Sequence, residues 1–102
     1  MQTKINTSEN GHYAIEGEIN NQTTPEISQQ LKKLISNVTG KNVTLDLALV
    51  SRSDSAGVAL LVEIMQLANS SDLTLSFTNL PQQMQDIAGL SGLMDILPIE
   101  EN

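Results

Sequence analysis

Ser51-Arg52-Ser53-Asp54-Ser55 runs without a gap into Ala56-Gly57-Val58-Ala59-Leu60-Leu61. A carboxylate and a hydroxyl side by side, where a polar stretch meets an apolar one, suit the start of a helix. Helix N-termini leave unpaired backbone N–H groups and a partial positive charge. Asp54 or Ser55 is therefore expected as the N-cap, a contribution of about 1 kcal/mol. The same field would accept a phosphate. On Ser55 it would carry roughly −1.5 to −2 charges at low structural cost. Beside Asp54, that charge would break a protein complex without unfolding the domain. Local physics favours the cap, and both readings place Ser55 at the junction.

Other chemistry finds little support. His12 is the only histidine and there is no cysteine, so a metal site of the usual His/Cys type is not expected. A hydrolase using Ser55 would need a base, and His12 lies far from it in sequence. No G-x-G-x-x-G or Walker A pattern occurs. Gly89-Leu90-Ser91-Gly92 resembles the G-x-x-G loop of KH domains, yet no Lys or Arg flanks it, and helix-end glycines explain it better. Glu16 and Glu18 alternate along one strand face, which reads as a solvated surface. No enzyme, cofactor or metal is expected.

The charge balance narrows the partners. With 5 basic and 12 acidic residues the formal net charge is −7, which argues against nucleic acid or an anionic lipid surface. Protein partners fit better. Apolar runs fall short of the roughly 20 residues of a membrane span, so no direct membrane insertion is expected. The N-terminus lacks an export signal, which makes the cytoplasm the expected location.

The elements that must position Ser55 follow from periodicity. The chain of 102 residues suits one domain over 1–102. Aromatics make up only 2%, so the core must be aliphatic. Asn10-Gly11 is a turn between two short strands, the second placing Tyr13, Ile15, Gly17 and Ile19 on one face. Thr24 is expected to cap a first helix with Ile27, Leu31, Leu34, Ile35 and Val38 on one face, ended by Gly40. Residues 41–50 read as one buried strand, and Ser51 to Asp54 as a loop. A second helix runs from about Ser55 to Ala68, apolar nearly all round its first two turns. Leu73, Leu75 and Phe77 mark another strand, and Pro81 begins a third helix. The order β-β-α-β-α-β-α predicts an α/β sandwich: amphipathic helices on a mixed, mostly parallel sheet.

These residues resemble a known family. Gly17-Glu18-Ile19-Asn20 resembles the G-E-L-D strand end of STAS domains, with Asn20 in place of the usual Asp. "VTLDLALVSRSDSAGVALL" resembles their central strand, loop and helix, with D-S-x-G at Asp54-Ser55-Ala56-Gly57. "SRSDSAGVALLVEIMQLA" is more similar to the MlaB-like STAS subunits of Mla phospholipid-transport ABC complexes. Asp95-Ile96-Leu97-Pro98 matches a D-x-L-P ending seen there. That branch implies a non-enzymatic subunit that docks on the transporter's cytoplasmic ATPase subunit and works in outer-membrane lipid asymmetry. It would reach the inner face of the inner membrane only through that partner. The alternative implied is an anti-sigma-factor antagonist, whose serine, here Ser55, is phosphorylated by an anti-sigma factor kinase to release the partner. Either way the expected partner-binding residues are Ser51, Arg52, Ser53, Asp54, Ser55, Gly57 and Val58.

Overall fold

The computed structural model describes residues 3–100. Two strands, β1 (Lys4–Glu9) and β2 (His12–Ile19), form an antiparallel hairpin closed by Asn10-Gly11. Helix α1 (Thr24–Ser36) leads to β3 (Asn42–Asp46) and β4 (Val50–Ser53). Helix α2 (Ser55–Ser70), strand β5 (Thr74–Thr78) and helix α3 (Gln82–Leu90) complete the order.

The sheet is mixed and mostly parallel, as predicted. Its continuous path is β1-β2-β3-β5, with every pairing after the hairpin parallel. One edge of β2 is divided between two partners. Its first half pairs with β3, Tyr13 against Leu45, and its last residues pair with β4, Ile19 against Ser53. Gly17 sits at the changeover, where the register shifts, with φ +111°. Few other residues adopt that backbone. The Gly17 N–H donates to the Leu49 carbonyl at 3.1 Å and so starts the second partnership.

Alternation decides which face is covered. Tyr13, Ile15, Gly17 and Ile19 are buried, as are Val43 and Leu45 of β3 and Leu75 and Phe77 of β5. Their neighbours in sequence are partly or fully exposed, so the helices cover one face and water meets the other. Helix α2 lies between α1 and α3. Its buried residues Val58, Leu60, Leu61, Ile64 and Ala68 explain why its first turns look apolar on nearly every side.

Three expectations need correction. Residues 41–50 are not one strand. The Asp46 carboxylate accepts from the Ala48 N–H at 2.9 Å, a local bond that turns the chain out of β3. Leu49, expected in the core, is 51% exposed on that turn. Second, residues 51–53 belong to β4 and are not a loop, which adds a strand to the predicted order. Its burial runs buried, exposed, exposed, buried, without the alternation that marks a strand. Third, α1 begins one residue after Thr23, its cap position, and stops at Ser36, short of Gly40. The Ser36 hydroxyl and Asn37 amide both donate to the Lys33 carbonyl, at 2.8 and 3.0 Å, and close the helix early.

The segment after α3 returns to the sheet. Phe77 donates its N–H to the Pro98 carbonyl at 2.9 Å and accepts from Glu100 N–H at 2.8 Å, so residues 98–100 extend the sheet beyond β5. Gly89 lies within α3 and Gly92 just beyond its end, as expected for helix-end glycines.

Candidate functional site

Ser55 is the first residue of α2, and its position is set from behind. The Ile19 carbonyl at the end of β2 accepts from Asp54 N–H at 3.4 Å, extending the β2–β4 ladder to the helix start. The Asp54 carboxylate then accepts from Ala56 N–H at 2.9 Å and caps the helix. The cap is thus Asp54, which leaves Ser55 exposed. Among the described residues the Ser55 hydroxyl has no hydrogen-bond partner.

The sequence-predicted residues divide into two layers. Ser51, Arg52, Asp54 and Ser55 are exposed. Ser53, at 6% exposure, and Val58, at 3%, are buried, as is Gly57. Val58 belongs to the hydrophobic core and so does not offer the apolar contact expected of it. Ala56 and Ala59 on the outer face of α2 are the small residues a neighbour could approach. Gly57 has a different task. A β-carbon there would lie 2.0 Å from the Ser53 hydroxyl oxygen and 3.1 Å from the Met84 methyl. The glycine of D-S-x-G therefore lets the first turn of α2 rest directly on β4.

Two depressions flank Ser55. One, of about 240 Å³, is lined by Glu18, Asn20, Arg52, Asp54 and Gln83. Its rim is firmly built. The Asn20 side-chain carbonyl accepts from Gln22 and Thr23 N–H, at 2.8 and 3.1 Å, while its amide donates to Glu18 at 3.2 Å. An aspartate at position 20 could accept the same backbone bonds, but it would set a second carboxylate against Glu18. Asn20 instead donates to Glu18, a bond that an aspartate could not make. Arg52 pairs with Glu18 in register yet makes no ion pair among the described residues, so its guanidinium is available to a carboxylate from outside.

The second depression, about 480 Å³, runs between α1 and α2 past Pro25, Ala56 and Ala59 to Ser28, Lys32 and Glu63. There the Ser28 hydroxyl donates to Glu63, and Lys32 Nζ lies 2.9 Å from the same carboxylate oxygen. The hydroxyl first, then the ammonium, hold the Glu63 carboxyl below its ordinary value near 4.5. Sequence reasoning missed this cluster, and it missed Gln83 too.

His12 and Ser55 do not meet. His12 opens β2 and Ile19, beside the Ser55 loop, closes it, so the length of an extended strand, roughly 23 Å, separates the two ends. His12 lies 4.0 Å from Glu9 at the hairpin. Glu16 faces Lys4 at 4.0 Å and accepts from the Asn6 amide at 2.9 Å, a solvated strand surface.

Comparison with known proteins agrees with this architecture. A family model described as "Mlab, STAS domain" matches residues 5–98. The anti-sigma factor antagonist SpoIIAA, in its unphosphorylated form, superposes with a TM-score of 0.73 at 16% identity, covering 98% of this chain and 89% of its own. RsbS of Moorella thermoacetica, in a serine-to-glutamate variant, gives 0.73 at 19% identity, with 100% and 88% covered. An anti-sigma factor antagonist from Mycobacterium paratuberculosis gives 0.73 at 17%, with 99% and 86% covered. Likeness at such low identity establishes the fold.

Proposed function

The chain belongs to the MlaB-type STAS-domain family, and on that premise we propose that it is a non-enzymatic regulatory protein whose β4–α2 surface binds a protein partner under the control of Ser55. Residues 1–102 are read as one STAS domain working in the cytoplasm. The observation that carries the reading is Ser55 itself: exposed, with an unengaged hydroxyl, on a backbone fixed by Asp54 and β2. Such a hydroxyl can be reached by a kinase without any unfolding. Transfer of the γ-phosphoryl group of ATP to Ser55 Oγ would release the hydroxyl proton and ADP. The new charge would sit favourably at the helix N-terminus, so the fold would persist. Beside Asp54 it would repel an acidic partner surface that had bound Arg52. This is the chemistry of a partner switch, and the solved anti-sigma factor antagonists of this fold support it.

A second reading is favoured by the description of the matching family model. The same surface would then dock on the ATPase subunit of an Mla-type phospholipid-transport ABC complex, with Ser51, Arg52, Asp54 and Ser55 as direct contacts. Ser53, Gly57 and Val58 would support them from beneath.

One experiment separates the two. Tagged protein is recovered from its own cell lysate, and the bound proteins and Ser55 are analysed by mass spectrometry. A kinase, with phosphate on Ser55 that Ser55→Ala abolishes, supports the partner switch. An ABC ATPase with unmodified Ser55 supports the transporter subunit. Ser55→Asp and Ala59→Arg should each abolish capture while leaving the circular dichroism spectrum unchanged. Unaltered capture by both variants would remove this surface from either role.

A further inference from the structure

We propose that Gln83, on α3, is a positioning residue for the Ser55 segment; the proposal rests on the reading of the β4–α2 surface as the recognition surface. Strand β4 is hydrogen-bonded to β2 along one side. On the other side no strand lies beside it among the described residues, because β5 pairs with β3. The backbone N–H of Ser53 is nevertheless satisfied. It donates to the side-chain carbonyl of Gln83 at 3.0 Å. A glutamine side chain thus takes the place that a neighbouring strand's carbonyl would occupy.

The geometry of α3 makes this a clamp. Pro81, at φ −61° and ψ 150°, turns the chain after β5, so that Gln83 falls in the first turn of the helix beside β4. The next residue, Met84, is fully buried, and its methyl lies against Gly57. Consecutive residues of one helical turn therefore hold Ser53 by a hydrogen bond and Gly57 by contact. Between those two points lie Asp54, Ser55 and Ala56, the segment a partner or kinase must read. Ser53 adds a bond of its own, its hydroxyl donating to the Asp54 carbonyl at 3.1 Å. Gln83 also lines the 240 Å³ depression with Arg52 and Asp54, so it borders the proposed recognition surface as well as bracing it.

The test uses two substitutions in the full chain. Gln83→Met keeps the length of the side chain and removes the acceptor. Gln83→Glu keeps an acceptor oxygen, and its charge is favourable in the first turn of a helix. In Gln83→Met, amide exchange at Ser53 should accelerate five- to tenfold, about the size of one hydrogen bond. Affinity for the partner recovered in the pull-down should fall by a similar factor, with the thermal midpoint lower by only a few degrees, the size expected for one hydrogen bond. Gln83→Glu should restore slow exchange at Ser53, because the acceptor oxygen is back in place. Unchanged exchange at Ser53 in Gln83→Met overturns the hydrogen bond. Faster exchange with unchanged affinity in Gln83→Met overturns its role in recognition, and exchange that stays fast in Gln83→Glu overturns the role of the acceptor oxygen. If the wild-type protein captures no partner, the recognition reading fails, and the role of Gln83 in recognition falls with it; exchange still decides whether Gln83 braces Ser53.

Discussion

The Ser53 hydroxyl oxygen lies 2.0 Å from where a β-carbon on Gly57 would stand. Strand and helix therefore meet through a hydroxyl and a hydrogen. Gly57→Ala must push β4 and α2 apart, and overpacking of this kind costs about 1–3 kcal/mol. Ser53→Ala in the same chain removes the oxygen and leaves the Ser53 β-carbon and the Met84 methyl, at 3.3 and 3.1 Å, as the nearest atoms. The double variant should recover part of the lost stability. Urea unfolding of the four proteins of the cycle measures this, and strictly additive losses would show that the two residues do not collide.

The Asp54 cap gives a smaller and separable effect. Asp54→Ala should lose about 1 kcal/mol, with Asp54→Asn close to wild type, because either carbonyl oxygen can accept from the Ala56 N–H. Equal losses in the two variants would mean that charge, rather than capping, is what Asp54 contributes.

Glu63 should make stability depend on pH. Its carboxyl is held below the ordinary value by Ser28 and then by Lys32. A depressed folded value contributes stability above the unfolded value near 4.5, lost as pH falls through the lower folded value. The advantage of wild type over Glu63→Gln should therefore be constant near neutrality and shrink below about pH 4.5. Both Lys32 and Glu63 are about half exposed, so the gap is small. Urea midpoints from about pH 7 to about pH 3 measure it. A gap that widened on acidification would contradict the assignment.

Asp72 is strained at the end of α2. It has φ +56°, while the next residue, Leu73, donates to the Ala68 carbonyl at 2.9 Å, the arrangement that usually places glycine at this position. Asp72→Gly should stabilise the protein by roughly 0.5–1 kcal/mol, read as a higher urea midpoint. A lower midpoint would show that the Asp72 side chain contributes more than its backbone costs.

Much of this molecule was legible in its residues. Strict alternation in β2 and the apolar spacing of α1 reported element, face and core together, since both periods arise from local geometry. The Asn10-Gly11 hairpin and the start of α2 at Ser55 were legible for the same reason. Two local bonds escaped, the Asp46–Ala48 turn and the Ser36/Asn37 stop of α1; the rest was non-local. Strand β4 has no alternating pattern, because its middle residues face water and its strand partner among the described residues is β2, more than thirty positions earlier in the chain. Nothing in the run Pro81-Gln82-Gln83 signals that one amide reaches position 53. The same holds for Ser28 and Glu63, which lie on different helices and are joined only once those helices pack.

The divided edge of β2 has a consequence for dynamics. The path β1-β2-β3-β5 is complete without β4, which is attached by its pairing to the last residues of β2 and by Gln83. Peeling β4 away leaves the rest of the hydrogen-bonded ladder standing. The strip that carries Ser51 to Asp54 can therefore open as a small cooperative unit of its own, at a free energy below that of global unfolding. Amide exchange that is faster through residues 51–54 than along β2 and β3 is the expected sign of that opening.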